Sequence, residues 1–129
     1  MEGKVLSVVV PMYNVEAYIA QCLDSFAVPE VLDQVEILVI DDGGTDGSAA
    51  IAQTYEEKYP GSYRVIHKEN GGHGSTINKG IETASGKYFR VVDGDDWVDR
   101  EGFIHLVRHL ENTDADMVLS NYYWVDEAS

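Results

Sequence analysis

A three-layer α/β domain, with a mostly parallel sheet between helices, is the fold this 129-residue chain predicts. Three observations carry the prediction. Apolar, β-branched runs alternate with segments of helical periodicity along the whole chain, the pattern of βα units joined by right-handed crossovers. The runs VLSVVVP (Val5–Pro11) and VEILVI (Val35–Ile40) are continuous rather than alternating, as in strands buried on both faces. Polar clusters fall where such strands end: Tyr13-Asn14, Asp41-Asp42, and Asp93 to Asp96. Ligands of open parallel sheets bind outside the carboxyl ends of strands, where the strand order reverses. Clusters at matching strand ends therefore point to one shared crevice.

Taken in order, Val5–Pro11 is the first strand, closed by Pro11. Asn14 caps the helix expected next, with Glu16 in its first turn and Val15, Tyr18, Ile19, Cys22, Leu23 and Phe26 on one apolar face. Val35–Ile40 is the second strand. Asp46 or Ser48 caps a helix reaching about Lys58, before Pro60 and Gly61. Tyr63–His67 is a third strand, followed by the Gly-rich loop Asn70–Gly74. Ser75 opens a short helix carrying Ile77, Ile81 and Ala84, with Gly86 as its C-terminal cap. The run from Tyr88 to Val92 reads as a buried strand. Arg100–Asn112 is an amphipathic helix through Phe103, Ile104, Val107 and Leu110, and Met117–Val125 a last strand.

Length and composition fit one domain over residues 1–129, with 44% hydrophobic residues to build a core. The formal net charge of −14 argues against nucleic acid or an anionic membrane as partner, because the nine Lys and Arg form no basic patch. An anionic ligand on such a surface needs a metal ion or oriented backbone N–H groups between it and the protein. Cys22 stands alone, so no internal disulfide is expected. The start Met1-Glu2-Gly3-Lys4 is no signal peptide, and the apolar runs are too short to cross a bilayer. The expected location is cytoplasmic.

The stretch YFRVVDGDDW (Tyr88–Trp97) holds the strongest chemical signal. Carboxylates packed into four positions repel one another unless a cation compensates them. Their hard oxygens suit Mg²⁺, Mn²⁺ or Ca²⁺. Gly94 permits the turn that brings Asp93 and Asp95 to a common point. A solvated acidic turn is the plainer alternative. Asp42 reads as a turn former or a ligand contact, and Tyr13 as core packing or a stacking platform. His105 and His109 lie four apart on a helix, but no Glu follows His105, so the zinc-protease pattern is absent.

The segments VVVPMYNVEAYIAQCLDS, VEILVIDDGGTDGS, KENGGHGSTINKGI and GKYFRVVDGDDW together resemble glycosyltransferase family 2, the inverting nucleotide-sugar enzymes of the Rossmann-like GT-A fold. The resemblance runs from about Leu6 to Val125. It implies that Pro11 and Tyr13 line the nucleotide base and that Asp42 accepts a hydrogen bond from the base N–H. Asp41 supports the turn. Asp93 and Asp95 match the D-x-D that meets the ribose and the metal-bound diphosphate, and Asp96 is a further candidate for metal or sugar. Asn70 and Gly71 belong to the loop expected against the donor. The implied cofactor is Mn²⁺ or Mg²⁺.

The resemblance has departures. Ile77 stands where many members carry an Arg, which leaves Lys79 and His73 as substitutes, and Gly44 replaces a usual Ser. The family's catalytic base lies well beyond the D-x-D, on the acceptor side, and is expected beyond Ser129. Asp126 and Glu127 are too close to the D-x-D to replace it. The chain is thus expected to be the nucleotide-binding portion of a longer enzyme, truncated at its C-terminus, that binds donor without completing transfer. The implied reaction moves a sugar from a nucleotide donor, by resemblance a UDP-sugar, to an acceptor hydroxyl with inversion. Saccharide or lipid-linked acceptors and cell-envelope polysaccharide synthesis are the expected setting. The alternative is a non-catalytic nucleotide-sugar or partner-binding module of the same fold.

Overall fold

The computed structural model describes residues 4–111. Strands β1 (Leu6–Met12), β2 (Val35–Asp42), β3 (Tyr63–Lys68) and β4 (Tyr88–Val91) form one sheet in the order β3-β2-β1-β4. Every neighbouring pair is parallel, with Leu6 level with Val35 on one side and with Tyr88 on the other. Helices α1 (Ile19–Asp24), α2 (Ser48–Lys58), α3 (His73–Thr83) and α4 (Arg100–Glu111) connect or follow them.

All seven residues of β1 are buried, as a central strand with a continuous apolar run requires. Its alternate residues serve different layers. Val8, Val10 and Met12 join Leu23, Phe26, Ala52, Phe103 and Leu106 in a core shared with α1, α2 and α4. Val9 points the other way and packs with Leu38 and Ile40 beneath α3. A methyl group at Gly80 would run into the Val9 side chain, so glycine is what lets α3 lie this close to the sheet. Phe26 and Phe103 meet edge to face at 5.4 Å, tying the end of α1 to α4. The Tyr63 hydroxyl donates to the Leu23 carbonyl at 2.6 Å, so its burial leaves no unpaired polar group.

Four sequence expectations need correction. The strand from Tyr88 is not buried on both faces. Among the described residues β4 is a sheet edge paired only with β1, and Phe89 is 49% exposed. The first helix does not begin at Asn14. Asn14 adopts φ 51, and helix begins at Ile19, because the Asn14 side chain bonds the β2–α2 loop instead. His73 rather than Ser75 opens α3, after Gly72 at φ 92. Gly86 is not a helix cap. α3 ends at Thr83, and Gly86 lies against β1, its N–H donating to Ser7 Oγ at 2.8 Å. The strand expected over Met117–Val125 lies outside the described residues, as do Asp126 and Glu127.

Candidate functional site

The chain steps from β1 to β2 to β3 in one direction and then returns to the opposite side of β1 as β4. The strand order therefore reverses between β1 and β4. A crevice of about 450 Å³ opens there, at the carboxyl ends of the strands. Pro11, Met12 and Tyr13 form its floor at the end of β1, Asp42 one wall, and Asp93 to Asp95 the other. Tyr13 is 51% exposed, which removes the core-packing alternative and leaves its ring open to a flat ligand.

Asp42 is almost fully buried at the end of β2. Lys68 sits beside it in the parallel register of β2 and β3 and donates from Nζ to Asp42 Oδ1 at 2.9 Å. The Gly71 N–H also donates to Oδ1, at 2.9 Å, and the Gly72 N–H to Oδ2, at 3.0 Å. Asn70 Nδ2 donates to the Asp42 carbonyl at 3.0 Å. Burial alone would raise the Asp42 carboxyl. The bonds from Lys68, Gly71 and Gly72 outweigh it and hold the group below its ordinary value. Asp42 thus fixes the Gly-rich loop. Asp41 serves the turn as expected, with Oδ1 accepting from the Gly44 N–H at 3.1 Å and Oδ2 facing His67 Nδ1 at 2.9 Å.

On the opposite wall, oxygens of Asp93, Asp95 and Asp96 all lie within 4.8 Å of one another. The Gly94 N–H donates to the Pro11 carbonyl at 3.0 Å and the Asp96 N–H to the Asp93 carbonyl at 2.9 Å, so the turn is tied to β1. Burial, and then the charges of Asp96, Asp95 and Asp93, push the Cys22 thiol well above its ordinary range. Three hard carboxylate oxygens converging on one point suit a Mg²⁺ or Mn²⁺ ion, which keeps its remaining positions for water and phosphate.

A brace joins the loop that carries Tyr13 to the loop that follows Asp42. Asn14 Oδ1 accepts from the N–H groups of Thr45 at 2.7 Å and Asp46 at 3.2 Å. In return Asp46 Oδ2 accepts from the Glu16 N–H at 3.1 Å, and Ser48 Oγ from the Val15 N–H at 2.9 Å. Glu16 Oε1 takes the Gly47 N–H at 2.9 Å. Sequence reading placed Asn14, and Asp46 or Ser48, as caps of their own helices, with Glu16 in a first turn. Gly47 rather than Asp46 or Ser48 takes the N-cap of α2, with no side-chain cap bond, while Asp46 Oδ1 accepts from the N–H of Ser48, the first helical residue, at 2.9 Å.

Pro11, Tyr13, Asn70, Asp42, Asp93 and Asp95 come together around the crevice. Asp96 joins through the acid cluster. Gly71 is not among the lining residues, and its N–H donates to Asp42. Lys79, farther along α3, is not among the lining residues either. His73 is: its Nε2 lies 2.7 Å from Asp93 Oδ1. Lys68 was missed by sequence reading. Its signal was the last position of a strand pairing with β2.

The chain is similar in sequence and in fold to known proteins. The chain is 36% identical over 127 residues to the glycosyltransferase GlyG of Streptococcus pneumoniae, covering 98% of this chain and 42% of GlyG. In three dimensions it resembles S. aureus TarS in complex with UDP-GlcNAc, with a TM-score of 0.72 and 31% identity over 83% of this chain and 31% of the other. It also resembles the mannosyltransferase PcManGT of Pyrobaculum calidifontis in complex with GDP-Man and Mn²⁺, with a TM-score of 0.70 and 25% identity over 83% of this chain and 32% of the other. The chain therefore spans about a third to two fifths of the length of these proteins. Together with the family model matching residues 7–129, the parallel sheet and its crevice lead to one assignment: the chain belongs to glycosyl transferase family 2.

Proposed function

We propose that this chain forms the donor-binding part of an inverting, divalent-metal-dependent transferase that takes its sugar from a UDP-sugar. The observation that carries the reading is the pairing of two walls across one crevice: the loop-anchoring Asp42 with the exposed Tyr13, and the convergent Asp93, Asp95 and Asp96. Tyr13 and Pro11 take the flat base, Asp42 accepts its ring N–H, and Asp93 takes the ribose. Asp95 and Asp96, with Asp93, would hold Mn²⁺ or Mg²⁺. When bound, the ion supplies Lewis-acid neutralisation of the leaving diphosphate. Without it, a protein of net charge −14 repels that diphosphate.

The described residues take donor binding in this reading, and acceptor deprotonation is assigned to none of them. The acceptor is a saccharide or lipid-linked hydroxyl, in a cytoplasmic step of envelope polysaccharide synthesis. Among the described residues no helix is long and apolar enough to cross a membrane. Structural neighbours with uracil and with guanine nucleotides show that the fold accommodates either base, so side chains must choose.

Titration calorimetry of UDP with Mn²⁺, and again in excess chelator, tests the reading. Binding that depends on the ion is expected. Equal affinity in chelator sinks the metal role, and no binding in either condition sinks the donor reading.

A further inference from the structure

We propose that Lys68 is a specificity-determining residue that restricts Asp42 to reading a base with a single ring N–H, uracil rather than guanine. The inference rests on the donor reading above. An ionised carboxylate offers about four lone-pair positions. On Asp42, two are taken at Oδ1, by Lys68 Nζ and the Gly71 N–H, each at 2.9 Å. A third is taken at Oδ2 by the Gly72 N–H at 3.0 Å. Asn70 Nδ2 reaches Oδ2 only at 3.5 Å, and its stronger bond, at 3.0 Å, goes to the Asp42 carbonyl. One good acceptor position remains, on Oδ2.

The ammonium is fixed where it is. Besides Asp42, Lys68 Nζ donates to the Glu69 carbonyl at 2.5 Å and to Ser75 Oγ at 2.8 Å, so its three protons are used. Ser75 Oγ in turn donates to the Gly72 carbonyl at 2.8 Å. A side chain at Gly71 would press on both, its Cβ 2.8 Å from Ser75 Oγ and 3.0 Å from Lys68 Nζ.

Bases differ in what they show such a group. Guanine presents two parallel N–H donors and pairs best with a carboxylate that has one open position on each oxygen. Here Oδ1 is filled. Cytosine and adenine place a ring-nitrogen lone pair beside their amino group, which a carboxylate repels. Uracil presents one ring N–H, matching the one open position.

Calorimetry of the chain with Mn²⁺ and UDP, GDP, CDP or the N3-methyl analogue of UDP tests this. A site built around one donor rejects ligands that lack it or leave polar groups unpaired, so UDP is expected to bind at least about tenfold tighter than the other three. Lys68→Met, which keeps the length but removes the donor, is expected to lower the UDP-to-GDP preference several-fold. Ser75→Ala, which removes one anchor of the ammonium, shifts it the same way and covers the case of a Lys68→Met chain that fails to fold. A merely structural role would weaken both nucleotides alike. GDP or the N3-methyl analogue binding the parent as tightly as UDP overturns the proposal. So does an unchanged preference in the variants. Failure of every nucleotide to bind the parent overturns the donor reading itself, and the role of Lys68 with it.

Discussion

His73 Nε2 and Asp93 Oδ1 stand 2.7 Å apart, joining the first residue of α3 to the acidic turn across the crevice. One carboxylate oxygen is engaged by the imidazole, which leaves the other turned to a ligand. Outer partners of this kind set the orientation of a binding carboxylate, and their loss typically costs about 10–100-fold in affinity for metal. Replacing His73 with Ala is therefore expected to weaken Mn²⁺-dependent UDP binding about tenfold. His73→Gln, which keeps an N–H donor, should retain most of it. Calorimetry on both variants checks this, and equal losses would show that the ring does more than hold Asp93.

Asp42→Asn is expected to damage both nucleotide binding and the loop. The amide keeps one acceptor oxygen and places an NH₂ where the carboxylate took bonds from Lys68, Gly71 or Gly72. Leaving buried donors unpaired costs about 1–3 kcal/mol. Urea unfolding should register that loss, and UDP affinity should fall with it. Unchanged stability would mean that the loop is held by other contacts.

Acid should loosen both ends of β2, Glu36 at its start and Asp42 at its close. Asp42 and Glu36 both titrate below their ordinary values of 3.8 and 4.5 in the folded chain. For each, burial acts to raise the value. The bonds from Lys68, Gly71 and Gly72 overcome it for Asp42, and those from Ser7 and Ser85 overcome it for Glu36. A carboxyl depressed on folding contributes stability that is full above its unfolded value and is lost as pH falls through the folded one. Stability should therefore hold near neutrality and decline as pH drops below about 4.5. Glu36→Gln should flatten part of that decline in melting curves taken from pH 7 to pH 3, in the range where carboxyls ordinarily titrate.

Gly80→Ala should destabilise the chain by about 1–3 kcal/mol through overpacking. The new methyl meets Val9, a side chain fully buried in the centre of the sheet. A denaturant midpoint that does not move would show that α3 can slide. Combining the change with Val9→Ala should recover part of the loss.

Much of this architecture was legible in the chain. The continuous runs that became β1 and β2 announced a buried parallel sheet, and three polar clusters at strand ends marked the crevice. Periodicity failed where side chains bond across loops rather than along them. Asn14 carries a cap residue's chemistry, but its partners are Thr45 and Asp46, more than thirty positions away. Lys68 was invisible for the same reason: a lysine ending a strand acquires meaning only when the register sets it against Asp42. At β4, aromatic and β-branched content signalled a strand but not its edge position among the described residues, since neighbour identity is a property of the sheet.

The brace between the loops at Asn14–Glu16 and Thr45–Ser48 limits how this domain can be recombined with its relatives. A crossover placed between residues 16 and 45 would take Asn14 and Glu16 from one parent and Thr45, Asp46, Gly47 and Ser48 from another. Bonds run in both directions across that join, to Asn14 and Glu16 from one side and to Asp46 and Ser48 from the other. A hybrid keeps them only if both parents bring matching side chains and the same loop length. Residues 14–48 are thus best exchanged as a single block, and library design that treats α1 as an independent module would disturb Tyr13 and Asp42 together.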